Sequence, residues 1–403
     1  MSVSFEVTVN DRQTAARTGV LNTPHGTVET PAFVAVATQA TVKALTPDDL
    51  RGVSIQMTIA NTYHLHLQPG EARVAGLGGL HRFMGWDGPM MTDSGGFQIF
   101  SLGAGKEHGV GKIASIFPEE SGPGEPEPDS PKENSLVEID EDGVEFRSHL
   151  DGSLHRFTPE GVIDIQRQLG ADIILVLDEC TSPLHDRAYT ERAMERTHRW
   201  AVRTLQYYAS QANRDQALFG IVQGGAFQDL RDSSAQFIGG LGFDGLAIGG
   251  SLGKSKRDMH RILEWTVPRL PERLPRHLLG IGEVEDIFEI VSRGIDTFDC
   301  AAPTRLARNG ALFVRGEKKF RIQILNARFK DDPRPVAEGC RCYTCRHLSR
   351  AYLHHLFNAN ELLSYRLASL HNLYFIESLV EEIREAIRAG WFSELRQRWL
   401  GHA

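Results

Sequence analysis

The sequence predicts an α/β fold, a (β/α)8 TIM barrel carrying a C-terminal helical zinc-binding subdomain, and three observations predict the barrel. Eight short apolar runs rich in strand-forming residues recur between Ala32 and Asp299. Helix-like segments such as Tyr189 to Tyr208 and Val284 to Arg293 lie between several of them, and strands alternating with helices imply a parallel sheet. Polar side chains stand where runs end, at Asp93, Asp178, Gln223 and Asp299, which is where such a barrel presents reactive groups at its C-terminal face. A doubly wound open sheet competes, because eight similar runs do not by themselves establish closure.

The elements follow in order. Phe5 to Thr30 reads as a hairpin ahead of the barrel. The runs are Ala32 to Ala37, Ser54 to Asn61, Pro89 to Asp93, Ala171 to Asp178, Leu218 to Gln223, Asp244 to Gly249, His277 to Gly282 and Ile295 to Asp299. A second hairpin, Val144 to Thr158, turns at Asp151-Gly152, and both hairpins are expected to lie as lids over the barrel ends. Within an insert near 103–136, Phe117 to Glu133 is rich in Pro, Gly and Glu and has nothing apolar to bury after its first residue, so a flexible loop is expected. Ser349 to Phe357 and Glu361 to Ala389 are helical in pattern and no further barrel strand appears. The division expected is a barrel over 1–310 and a C-terminal helical unit over 311–403.

Composition narrows the classes. With 403 residues and 41% hydrophobic content the chain can bury one large core. No stretch approaches eighteen consecutive apolar residues and Met1 to Asn10 has no signal-peptide layout, so no membrane partner and a cytoplasmic location are expected. Neither a Walker-type loop nor a Gly-x-Gly-x-x-Gly opening a helix is present, which argues against nucleoside triphosphate or dinucleotide chemistry. The net charge of −8 speaks against nucleic acid until its distribution is considered. Between Thr304 and Arg350, twelve Lys and Arg face four acids, a local net of +8 that leaves −16 elsewhere. A basic stretch of this kind is either a solvated face or a phosphate-binding one.

Three constellations carry chemistry. Cys340, Cys342 and Cys345 fall within six residues of a chain with five cysteines, an odd number poorly suited to a disulfide framework. Three thiolates and one imidazole make the closed tetrahedral set of a structural zinc. For the fourth ligand the sequence offers His347, His354, His355 and His371. Thr92-Asp93-Ser94-Gly95-Gly96-Phe97-Gln98 combines a strand-end carboxylate with glycines that let a backbone approach a ligand, although alone it is also an ordinary turn. Phe298-Asp299-Cys300 puts a second carboxylate at the last strand's end, just before Arg305 and Arg308, which could hold phosphate. Two carboxylates facing one cavity suit displacement at a sugar carbon, one attacking the anomeric centre and one moving protons. A pair of structural helix caps is the plainer reading.

These motifs carry a resemblance. Asn61-Thr-Tyr-His64-Leu, the Asp93 motif, Phe146-Arg-Ser148-His149-Leu-Asp151-Gly152-Ser, Asp178-Glu179-Cys180, Phe219-Gly220-Ile-Val-Gln223-Gly224, Leu278-Leu279-Gly280-Ile-Gly282, the Asp299 motif and the cysteine set occur in order. The whole chain resembles the bacterial tRNA-guanine transglycosylases, also called queuine tRNA-ribosyltransferases; only the Pro/Glu-rich insert lacks a counterpart in shorter members. The resemblance implies that Asp299 is the nucleophile on ribose C1′ and Asp93 the general acid/base. It also implies that Asp178, Gln223 and the backbone of Gly245 and Leu246 bind the base edge, with Phe97 and Leu279 on its faces. Arg305 and Arg308 would grip phosphates, and His371 would complete one structural Zn2+ with Cys340, Cys342 and Cys345.

The implied reaction exchanges the wobble guanine of GUN-anticodon tRNAs for a free 7-deazaguanine base by double displacement. The partners expected are the tRNA anticodon loop, that base and a second copy of the chain. Members that take the aminomethyl precursor carry a Glu after a Leu-Ala-Val-Gly segment, and this chain has Gly250 after Leu246-Ala247-Ile248-Gly249, so queuine is expected to be favoured. Two other classes are weighed. A non-catalytic tRNA-binding partner subunit would be expected to lack one of the carboxylates, and a barrel metallohydrolase would need an open His/Asp metal site at the strand ends.

Overall fold

The computed structural model describes residues 3–107, 137–212 and 214–401. The Pro/Glu-rich segment Phe117 to Glu133 lies outside the described residues. Eight parallel strands close into a barrel: β1 (Ala32–Val36), β2 (Met57–Ala60), β3 (Met90–Thr92), β4 (Ile173–Leu175), β5 (Ala217–Val222), β6 (Gly245–Ile248), β7 (Arg276–Leu278) and β8 (Thr297–Asp299). Each pairs with its neighbour in the chain, and β8 returns to β1 with Thr297 opposite Ala32 and Asp299 opposite Val34. Closure excludes the open sheet. Every expected run contains one strand, and the strands are shorter than the runs because burial outlasts ladder pairing: Val176 and Leu177 are fully buried beyond the end of β4. All six residues of β5 and all four of β6 are buried, which is why these strands read as continuous apolar runs without alternation.

Helices between strands start on side-chain caps. Thr158 caps Pro159–Leu169, Asp186 caps Arg187–Ser210 and Ser255 caps Lys256–Thr266, each accepting an otherwise orphaned backbone N–H.

The two hairpin segments close opposite ends. Ser4–Asn10, Arg17–Thr23 and Gly26–Thr30 form an antiparallel sheet at the face where strands begin. There the Arg17 guanidinium, buried, meets both oxygens of Asp296 at 2.6 and 2.8 Å, and His25 Nδ1 meets Asp172 at 2.7 Å. Asp296 and Asp172 directly precede β8 and β4. A cavity of about 640 Å³ lined by His25, Arg167, Asp172 and Gln216 opens at this face and contains none of the strand-end carboxylates. At the other face, Val137–Ile139, Val144–Arg147 and Leu154–Phe157 form a second sheet, tied down where the Tyr63 hydroxyl meets His149 Nδ1 at 2.8 Å.

After β8 the chain makes the helix Ala302–Arg308 and an antiparallel pair, Ala311–Phe313 with Arg321–Gln323, so the C-terminal unit opens on a small hairpin before it turns helical. Helices Tyr343–His347, Arg350–Asn358, Leu363–Ala389 and Phe392–Leu400 follow. The unit has its own apolar cluster, including Leu312, Phe329, Leu353 and Leu367. The 27-residue helix Leu363–Ala389 serves both cores: Leu367 and Ala368 join this cluster, whereas Leu370, Leu373, Ile376, Val380 and Ile383 join the barrel's.

Candidate active site

Strand direction places the site. In a parallel barrel every strand ends at the same face, so Asp93 just after β3, Asp178 beyond β4, Gln223 after β5 and Asp299 at the end of β8 share one mouth. Asp93 is held from three sides. Its carboxylate accepts from Asn61 Nδ2, from the Thr62 N–H at 2.9 Å and from the Gly95 N–H at 3.2 Å. Burial nonetheless dominates and pushes its pKa up to about 7, with the charge of Asp299 adding to the rise. The two carboxylates therefore feel each other across the mouth.

Asp299 is met on one oxygen, Oδ1, which accepts from the Gly280 N–H at 3.1 Å and lies 3.3 Å from His277 Nε2. Asp178 is buried, with Oδ1 accepting from Ser94 Oγ at 3.0 Å and Oδ2 from Gln223 Nε2 at 2.6 Å; burial pushes its pKa up to about 6. Gln223 Oε1 is buried and has no partner among the described residues, an acceptor facing no donor. Phe97, in the first turn of Gly96–Glu107, is 56% exposed, and Leu279 is half-buried after β7. Gly95 and Gly96 are tight positions. A Cβ on Gly95 would lie 3.0 Å from the Tyr63 backbone nitrogen and 3.1 Å from the Phe157 ring, and one on Gly96 would lie 2.7 Å from the Asp178 carbonyl oxygen.

One expectation needs correction. Gly245 and Leu246 begin β6, at the end of the strand away from the mouth, where Gly245 packs on the Phe219 ring and the Leu246 N–H is bonded to Pro275 O at 3.0 Å. Their backbone groups are engaged in the barrel wall and do not line the site. The register sets Val222 opposite Ile248, so the glycines that meet Gln223 are Gly249 and Gly250. Gly250 has φ +72°, and a Cβ there would collide with Gln223 Oε1.

Other residues at the site were given no role from sequence, Asn61 and Thr62 appearing only within a quoted motif. Asn61 and Thr62 orient Asp93, and His277 touches Asp299. Arg231, fully buried, donates to the carbonyls of Gly225, Val222, Gly249 and Ser251 at 2.7 to 3.1 Å and thereby fixes the loops after β5 and β6. No sequence signal marks Arg231, because its partners are backbone oxygens. Glu179 faces away from such a role, its carboxylate taken by Tyr189 Oη and Arg196. Arg305 is exposed and Arg308 half-buried on Ala302–Arg308, directly after Asp299.

The cysteine set assembles as expected. One donor atom from each of Cys340, Cys342, Cys345 and His371 lies within 4.8 Å of every other, with His371 Nδ1 at 3.9, 3.5 and 3.3 Å from the three sulfurs. Around a tetrahedral zinc with Zn–S of about 2.3 Å and Zn–N of about 2.0 Å, those edges would be about 3.5 Å. His371 Nε2 donates to the Phe313 carbonyl at 2.7 Å, which turns the Nδ1 lone pair toward the thiols. Of the rival histidines, His354 is instead bonded to Ile324 O, and neither His347 nor His355 joins the set. The group can hold a metal, and with no open position it suits a structural one. Among the described residues, no helix is long and apolar enough to cross a membrane.

Comparison with known proteins agrees with the geometry. The sequence model of a family described as Queuine tRNA-ribosyltransferase matches residues 11–116 and 129–402, passing over only 117–128 in between. A protein of Archaeoglobus fulgidus is 52% identical over 392 residues, 96% of each chain. The queuine tRNA-ribosyltransferase of a Roseiflexus species is 48% identical over 412 residues and 100% of each chain, and that of Pelotomaculum thermopropionicum 47% over 401 residues, 99% of this chain and 98% of its own.

Proposed function

Since the chain belongs to the queuine tRNA-ribosyltransferase family, and is thus a tRNA-guanine transglycosylase, we propose that it exchanges the anticodon wobble guanine by double displacement with Asp299 as nucleophile and Asp93 as proton carrier. The observation that carries this is the placement of two carboxylates at strand ends of one mouth, Asp93 buried among Asn61, Thr62 and Gly95 with its pKa pushed up to about 7, and Asp299 partly exposed at the end of β8. Asp299 attacks C1′ of the ribose as the bond to guanine breaks, and the proton of Asp93 goes to the departing base. The incoming base returns its proton to Asp93 as it displaces the carboxylate. One N-glycosidic bond replaces another, so no nucleoside triphosphate is required, and an unpaired loop base is cheap to extrude.

A purine-like base would lie on edge between the exposed Phe97 and the half-buried Leu279. Asp178 and the unpartnered Gln223 Oε1 would accept from its N–H groups, and the Gly249–Gly250 turn lets the backbone come close. Stacking on an aromatic such as Phe97 contributes about 1 to 3 kcal/mol per base. Arg305, Arg308 and the basic stretch that follows would bind anticodon-loop phosphates. Zinc on Cys340, Cys342, Cys345 and His371 would supply a fixed cross-link between the cysteine turn and the long helix, and no chemistry.

A denaturing gel of protein with tRNA and a competing base tests the nucleophile. Wild type is expected to give a shifted protein–RNA band and Asp299→Asn none; a band persisting in Asp299→Asn overturns the assignment. For the base, no carboxylate occurs in the loop from Gly249 to Arg257, so a cationic aminomethyl group finds no partner there and queuine is favoured. A charge-assisted hydrogen bond forgone is worth about 1.5 to 3 kcal/mol. Catalytic efficiency for both bases on one tRNA decides it, a tenfold preference for the precursor being the contrary result. Gly250→Glu is a poor probe, because any side chain at 250 strikes Gln223.

A further inference from the structure

We propose that His277 is a positioning residue that reserves one oxygen of Asp299 for attack, an inference that rests on Asp299 being the nucleophile. The barrel wall builds the arrangement. Thr297 and Asp299, two apart on β8, point to the same inner side, and His277 on β7 stands opposite Thr297 in the parallel register. The imidazole, 0% exposed, bridges them: Nδ1 lies 2.9 Å from Thr297 Oγ1 and Nε2 3.3 Å from Asp299 Oδ1.

Electrostatics selects the tautomer. A proton on Nδ1 would leave an Nε2 lone pair aimed at a carboxylate oxygen, a repulsion that burial of the ring leaves weakly screened. With the proton on Nε2, the ring donates to Oδ1 while the Thr297 hydroxyl donates to Nδ1, and every polar atom is matched. Oδ1 then carries both hydrogen bonds the carboxylate receives from the described residues, from His277 and from the Gly280 N–H, which leaves Oδ2 as the oxygen with its lone pairs available.

The consequence runs through both half-reactions. As Oδ2 bonds to C1′, the C1′–N bond breaks, its electron pair leaves with the base, and the Asp93 proton neutralises it. Oδ1 becomes the carbonyl oxygen of the glycosyl ester, still held by its two donors. When the incoming base nitrogen attacks C1′, the C1′–Oδ2 pair returns to the carboxylate, and the same donors stabilise the charge as it spreads back onto Oδ1.

The test compares His277→Gln, His277→Asn, His277→Phe and Asp299→Asn with wild type in guanine exchange and in the gel assay. The Gln amide nitrogen reaches the place of Nε2, and the Asn amide nitrogen only that of Nδ1. Expected are a drop in kcat of about ten- to a hundredfold for Phe and Asn with KM for tRNA within twofold of wild type, and recovery to within about fivefold in Gln. Full kcat in His277→Phe, or a Gln variant as impaired as Asn, overturns the proposal. ¹⁵N-histidine spectra of wild type provide a readout that does not depend on any variant folding: a His277 proton found on Nδ1 also overturns it. Adduct formation by Asp299→Asn instead removes the underlying nucleophile reading, so the two failures are told apart.

Discussion

Asp93 receives three hydrogen bonds that favour its anion, yet its burial and the neighbouring Asp299 outweigh them and hold its pKa at about 7. The sign for catalysis follows. In the role proposed for Asp93, the departing guanine needs the protonated form, which is depleted as pH rises through about 7, so kcat/KM for tRNA should fall roughly tenfold per unit above that point. A profile of radiolabelled guanine exchange that stays flat from pH 6 to 9 would sink the assignment, and Asp93→Asn should lose turnover while still binding tRNA. At this scale the sequence was legible where a residue sits at a strand end, as Asp93, Asp178, Gln223 and Asp299 do. It misled for Gly245 and Leu246 because both ends of that run carry glycine, and the choice between them rests on strand direction: parallel strands send only the later pair, Gly249 and Gly250, to the mouth. His277 was illegible, since a histidine inside an apolar run gives no sign of which neighbour its ring meets.

Among the elements, the cysteine turn and its partners form a chain of contacts that leads back to the helix following β8. Cys342 Sγ caps the helix Tyr343–His347, and His371 from the long helix grips the Phe313 carbonyl. The next residue, Asn372, accepts from the Phe313 N–H at 2.9 Å and donates to the carbonyls of Pro303 and Ala311, each at 3.0 Å. Metal bound there would thus be coupled through two adjacent side chains to the helix that carries Arg305 and Arg308. Structural zinc contributes about 10 to 16 kcal/mol in small finger peptides, more than the modest apolar cluster of this unit is expected to replace. Cys342→Ala or zinc removal should lower the melting temperature and weaken tRNA binding at least tenfold, as read by calorimetry and filter binding. Fully active, stably folded protein without stoichiometric zinc by elemental analysis would contradict this. The three cysteines were legible as a group from their spacing alone, whereas the fourth member was not, because His371 comes from a helix whose packing only the fold determines.

For the whole molecule, strand-helix alternation made the barrel legible, since each unit repeats a local pattern. What alternation could not reveal is where the eighth helical layer comes from. The helix Leu363–Ala389 begins in the zinc unit's core and runs on into the barrel's, with Arg384 reaching the Pro31 carbonyl beside β1 at 2.9 Å and Arg366 paired with Asp49 at 2.7 Å. Charge divides along the same line, the basic stretch from Thr304 to Arg350 set against an acidic remainder. The shared helix changes what a cut in the chain means. A fragment ending at 310 is not an enzyme lacking an appendage but a barrel with one wall stripped, its β1 and β8 flank open to water. Restoring it would take a peptide spanning 363–400 rather than the zinc unit's outer portion, so the intervening 311–362 behaves as an excursion between a strand and its own covering helix, free to vary in shape only while its two ends stay where the barrel puts them.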